Sequence, residues 1–144
     1  MYLMYILDTD HLSFIQRKGQ EGRSILTRLS RLSADVEVAV TVITYEEQIR
    51  GRLSFISKAR TTDETVKGYQ GLQQTLVDYQ SIVVIPFNDI AIAEHQRLRK
   101  AYPRLGNMDL KIASITLVNN ATLLTRNKSD FSQMVELKIE DWSN

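Results

Sequence analysis

A chain of 144 residues with 43% hydrophobic and 24% charged side chains is long enough to bury one continuous core without a disulfide or a structural metal. The absence of cysteine excludes disulfide scaffolds, thiolate zinc sites and cysteine nucleophiles, and agrees with a reducing compartment. Lysine and arginine total 18 against 17 acids, so net charge marks neither a nucleic-acid binder nor its opposite, and the placement of the charges carries the information.

In chain order, the first apolar run is YLMYIL at residues 2–7, which meets Asp8 too soon for a signal segment or a membrane span. No later run reaches spanning length, so a soluble, cytoplasmic protein is expected, and no linker, repeat or low-complexity tract divides residues 1–144. Segment 22–33 repeats apolar residues at Ile25, Leu26, Leu29 and Leu32, as an amphipathic helix does. VEVAVTVI at 36–43 reads as a second strand, followed by a helix carrying Glu46 and Glu47 in about its first turn. Segment 61–79 is helical by Val66, Tyr69, Leu72 and Leu76. SIVVI at 81–85 is a third strand. Segment 89–100 is a helix by Ile90, Ala93 and Leu98, capped by Asn88 or Asp89. Asn107 is read as the cap of a helix from Met108 to about Val118. ATLLT at 121–125 is a fourth strand, and Val135 to Ile139 adds an edge strand. Strands alternating with helices over the whole length predict an open α/β sheet with right-handed crossovers.

In such sheets ligands bind outside the carboxyl ends of the strands. Asp8 stands at one such end, Glu46 and Glu47 follow the second strand, Asp109 falls in the first turn of its helix, and Asn127 and Asp130 follow ATLLT. Singly, each has an ordinary reading as a turn, cap or helix-dipole residue; Asp109 is expected to stay ionised at its helix N-terminus, Asp10 to cap the helix near His11 and Asp89 its own helix. Together they are harder to dismiss, because gathered carboxylates repel unless a cation lies among them. Oxygen donors without cysteine or paired histidines suit Mg²⁺, with Mn²⁺ as a substitute, and these ions support phosphodiester hydrolysis through a bound water.

No GxGxxG, P-loop, HExxH or GxSxG motif occurs, so dinucleotide, nucleotide-hydrolysing, zincin and serine-hydrolase readings lack support. His95 reads as a helix-surface residue, His11 as structural before substrate-binding, and Trp142 as an anchor for the last segment. Arg50, Arg52, Lys58 and Arg60, or Arg97, Arg99, Lys100 and Arg104, are candidates for meeting phosphates; a solvated helix face is the equal alternative. Tyr45 and Phe55 are expected in the core before a partner interface.

LDTDHLS, VITYEEQIRG, GNMDLKIASI and ATLLTRNKSDF, in this order and spacing, resemble the PIN-domain family and within it the VapC-type ribonuclease toxins of toxin-antitoxin pairs. The resemblance covers nearly the whole chain. It implies a three-layer α/β/α PIN-like fold with a mostly parallel five-stranded sheet. It also implies Mg²⁺- or Mn²⁺-dependent endoribonuclease activity on structured RNA such as tRNA or rRNA, a homodimer, and a cognate antitoxin protein. Asp8 matches the first acid of the family, Glu47 rather than Glu46 the second, and Asp109 the third, so these three are the expected catalytic residues and metal ligands. Asn127 stands where many relatives have aspartate; Asn127 and Asp130 are weaker metal ligands, and a second ion is in question. Thr9, Asp10, Arg50 and Arg52 are candidate substrate contacts. Two other readings stay open: a PIN-like domain that binds RNA without cutting it, and a receiver-like domain using Asp89 as phosphoacceptor with Lys128.

Overall fold

The computed structural model describes residues 3–144, so Tyr2 of the first apolar run lies outside the described residues. Five short strands, β1 (Met4–Leu7), β2 (Glu37–Thr41), β3 (Val84–Ile85), β4 (Thr122–Leu124) and β5 (Lys138–Glu140), form an all-parallel sheet in the order β3-β2-β1-β4-β5. Around them run α1 (Thr9–Arg17), α2 (Gln20–Ser30), α3 (Val42–Lys58), α4 (Thr62–Asp78), α5 (Asp89–Ala101), α6 (Asn107–Val118) and α7 (Lys128–Phe131). Alternation along β1 divides the interior: Met4 and Ile6 pack with α5 and α6, whereas Leu7 packs with Leu12, Ile25, Val40, Leu124 and Trp142 on the α1–α2 face. The expected three-layer PIN-like α/β/α arrangement is the one observed.

The helices α1 and α2 are held almost in backbone contact by Gly22, where a Cβ would lie 2.3 Å from the Phe14 carbonyl oxygen. At the opposite extreme, α6 is apolar nearly all round, burying Leu110, Ile112, Ala113 and Ile115, and so runs through the interior rather than along it.

Several boundaries differ from the sequence expectation, each for a local reason. The strand expected at 36–43 stops at Thr41, whose hydroxyl accepts the Thr44 N–H at 3.2 Å and starts α3 at Val42, so two β-branched residues open a helix. Glu46 and Glu47 therefore sit in its second turn. Asn107 is the first residue of α6, not its cap; Gly106 precedes the helix, and the Asn107 side chain instead meets His95 Nε2 at 2.8 Å. On α5 the buried stripe is Ala91, His95 and Leu98, while Ile90 and Ala93 are exposed, so His95 is interior, edge-on to Phe87. The apolar stripe assigned to α4 also points outward: Val66, Tyr69 and Leu76 are 49%, 57% and 60% exposed, and the residues α4 buries are Gly68 and Thr75. Phe55 on α3 is likewise half exposed, and Tyr45 leaves part of its ring at the surface against Tyr79. The last strand begins at Lys138 and leaves Val135 outside it.

Candidate functional site

β1 ends at Leu7 and α1 begins at Thr9, so Asp8 is the single residue of the turn and the N-cap of the helix. That role, and not Asp10, satisfies the first orphan donor: Asp8 Oδ1 accepts the Thr9 N–H at 2.8 Å. Asp8 Oδ2 accepts from Thr125 Oγ1 at 2.7 Å, and the Asp8 N–H reaches the Leu124 carbonyl at 2.9 Å. Thr125 in turn accepts the Asn127 N–H at 3.0 Å. The turn after the central strand is thus fastened to the turn after its neighbour β4. Burial, and behind it the charge of Asp10, pushes the Asp8 carboxyl up from 3.8 to about 7, against the pull of its two hydrogen bonds.

Asp109 is the third residue of α6. Its pKa is raised, first by burial and then by Asp130, Glu47 and Asp10. The helix N-terminus alone favours an ionised carboxylate, but here desolvation and three like charges act in the opposite direction.

Glu47 faces the same crevice. Its Oε1 accepts from Thr9 Oγ1 at 2.7 Å; since that spends the one Thr9 hydroxyl proton, Thr44, 3.0 Å from Thr9, is the donor to it. Glu46, one residue away, turns to the surface and pairs with Arg50 at 2.6 Å. Asn127 directs its Nδ2 toward Asp109 (3.4 Å) and Asp130 (3.3 Å), the only end of the amide that can face two carboxylates. Asp10 accepts the Arg126 N–H at 3.0 Å and pairs with His11 Nδ1 at 2.9 Å. His11 is buried, and its Nε2 accepts the Trp142 N–H at 3.1 Å, which leaves the proton on Nδ1. It fastens the C-terminal segment, as does Trp142, buried against Tyr5.

The structure therefore brings together Asp8, Thr9, Asp10, Glu47, Asp109, Asn127 and Asp130. It does not bring Arg52, whose Nε donates to Thr75 on α4 at 3.0 Å. Arg50 is occupied by Glu46, and Arg97 pairs with Glu94 and with Glu136 just before β5, at the opposite edge of the sheet. Lys58 ends α3, about 16 Å along the helix from Glu47, and Arg60 lies beyond that end. Thr125 and Thr44 escaped the sequence reading. The signal for Thr125 was register: Leu7 pairs with Leu124, so the next residues, Asp8 and Thr125, stand side by side at adjacent strand ends. Asp89 is exposed after the edge strand β3, with its carboxylate on the Ile90 N–H. Lys128 follows β4, three strand spacings away, roughly 14 Å. That separation removes the receiver-like reading.

Among the described residues no lysine or arginine pairs with Asp8, Glu47, Asp109 or Asp130. No three acid or imidazole groups among them close tightly enough to hold an ion by protein ligands alone. An all-oxygen donor set without a basic partner among the described residues fits Mg²⁺ or Mn²⁺, which retain several waters, better than an ion enclosed by side chains.

A central parallel sheet flanked by helices, with a cluster of carboxylates at its carboxyl edge, is the PIN-like arrangement that the sequence resemblance implies. No family model matches the chain. It is similar, at 25% identity over 98% of its length and 99% of the relative's, to ribonuclease VapC1 of Haemophilus influenzae, and at 26% over 97% and 98% to ribonuclease VapC2 of Rickettsia felis. Its fold matches the VapBC-1 structure from nontypeable Haemophilus influenzae (TM-score 0.80, 23% identity, 99% of this chain and 100% of that one). It also matches VapBC2 from Rickettsia felis bound to a promoter DNA fragment (TM-score 0.75, 26% identity, 97% and 99%). The likeness to VapC-type PIN domains carried by four short motifs thus holds over the full chain, in sequence and in fold.

Proposed function

We propose that this protein is a metal-dependent endoribonuclease and the toxin of a toxin-antitoxin pair. The observation that carries this reading is the convergence of Asp8, Glu47, Asp109 and Asp130, delivered by four separate segments to one crevice with no basic partner among the described residues, where the like charges of Asp130 and Glu47 add to burial in raising the Asp109 carboxyl. Relatives named ribonuclease VapC, aligned end to end, support it. Asp8, Asp109 and Glu47 would hold Mg²⁺ or Mn²⁺, with Asp130 contributing from α7; such an ion supplies a nucleophilic water at neutral pH and offsets charge on the scissile phosphate.

The chain's own residues supply orientation. Thr125 and the Thr9 N–H fix both oxygens of Asp8. The Thr44–Thr9 hydroxyl relay aims Glu47 at the crevice. Asn127 spaces Asp109 from Asp130, tempering their repulsion without adding charge. A cavity of about 810 Å³ lies between α1, α2 and α4, lined by Leu12, Ile15, Leu26, Leu29 and Ile82, with Lys18, Arg52 and Asp78 among its walls. A largely apolar groove of this kind suits the apolar face of an amphipathic segment, and it is our assignment for the antitoxin's seat; the relatives of known structure are VapBC complexes.

Sequencing of RNA ends after induced expression tests the reading. Wild type should generate new, position-specific ends that Asp8→Asn does not. Identical ends from both would overturn it, and binding without new ends would favour a non-cleaving domain, a reading the neutral Asn127 keeps in view.

A further inference from the structure

An acidic crevice repels a polyanion, so an enzyme that cuts RNA there needs positive charge within reach of the flanking phosphates. Most basic residues singled out by spacing are spent or distant. The structure brings forward two others, Arg17 and Arg126, that the spacing of basic residues did not single out. On α1, Asp10, Phe14 and Arg17 share one helix face, at i, i+4 and i+7. The Arg17 guanidinium lies 5.9 Å from the Phe14 ring centroid and that of Arg126 lies 5.4 Å from the same centroid. Arg126 is held by its backbone N–H on Asp10, and its neighbour Asn127 reaches Asp109 and Asp130, so this group stands one residue from the acids. Neither arginine has a carboxylate partner among the described residues.

We propose that Arg17 and Arg126, pre-set on Phe14, form a guide that grips the ribose–phosphate backbone of the RNA strand beside the bond to be cut. The aromatic ring restricts both guanidinium rotamers without neutralising them, and their planar forks are suited to phosphate oxygens. The inference rests on the RNA-cleaving reading above.

Its test is anisotropy with a fluorescein-labelled, unstructured 16-nucleotide RNA, on full-length protein carrying Asp8→Asn so that the probe stays intact. Arg17→Ala and Arg126→Ala should each weaken binding about five- to tenfold and reduce the slope of log K against log salt by roughly 0.7, the value for one lost single-strand phosphate contact. Phe14→Leu, which keeps an apolar side chain, should weaken it two- to threefold. Lys67→Ala, at an exposed ion pair on α4, should change nothing. In the cleaving protein the two arginine variants should raise KM and leave kcat in place, with unaltered melting temperature. Parent-like affinity and salt slope in both arginine variants would overturn the guide alone. Absence of RNA binding by the parent would overturn the guide and the RNA-cleaving reading together.

Discussion

The carboxyl edge of the sheet and the α5–α6 core treat polar groups in opposite ways. In the core, Leu98, Ile112, Ile115, Leu123 and Phe131 are fully buried, and the polar side chains among them are satisfied locally: Thr116 donates to the Ile112 carbonyl, and His95 meets Asn107. At the edge every buried polar side-chain atom among the described residues also has a hydrogen-bond partner, yet no lysine or arginine among them pairs with Asp8, Glu47, Asp109 or Asp130. Hydrogen bonding is complete in both regions; electroneutrality is complete only in the core. The core supplies stability that the edge gives up, and on the proposed function a bound cation would offset the edge's charge.

The largest expected effect follows from removing one edge charge. Asp8→Asn should cut RNA cleavage by more than the roughly 10–100-fold seen when an outer hydrogen-bond partner of a metal ligand is lost. It should also raise the melting temperature of the metal-free protein by several degrees. Leu98→Ala should invert the pattern, costing about 2–5 kcal/mol in denaturant unfolding while the folded fraction keeps its kcat.

The pH dependence sharpens the contrast. With the folded pKa of Asp8 near 7 and the unfolded value 3.8, the folded state holds the proton longer. This group's contribution to metal-free stability is therefore greatest below about pH 4 and falls as pH rises through about 7, by of order 4 kcal/mol. Wild type minus Asp8→Asn, measured by urea unfolding from pH 4 to 8, isolates that fall, and saturating Mn²⁺ should suppress it. A flat difference curve would remove the claim of an uncompensated carboxyl.

A smaller comparison lies within one helix. Glu47→Gln should impair cleavage well beyond Glu46→Gln, which loses only an exposed ion pair with Arg50, worth less than about 1 kcal/mol. Equal losses would place both glutamates in the crevice.

What could be read from the chain beforehand follows the same division. Acids at strand ends and first turns were visible because the carboxyl edge is defined by element order alone, and the extent of α6 was visible although Asn107, read as its cap, is its first residue. His95 was misread because a histidine counts as polar in a periodicity, although Ala91, His95 and Leu98 repeat at helical spacing. The start of α3 was hidden by Val42 and Ile43, whose β-branched side chains favour a strand until the Thr41 cap is recognised. The α4 stripe obeyed helical spacing without being buried, because spacing shows that a face is apolar and not what covers it. Thr125 required the pairing of β1 with β4, a relation between segments 117 residues apart.

Calorimetric titration of the RNA-free protein with Mn²⁺ at neutral pH tests the uncompensated edge most directly. One tight site is expected, weakened more than tenfold by Asp8→Asn and strengthened by Asn127→Asp, which would convert the spacing amide beside Asp109 and Asp130 into a further charge. Unchanged Mn²⁺ affinity in Asp8→Asn would contradict a cation held at this crevice.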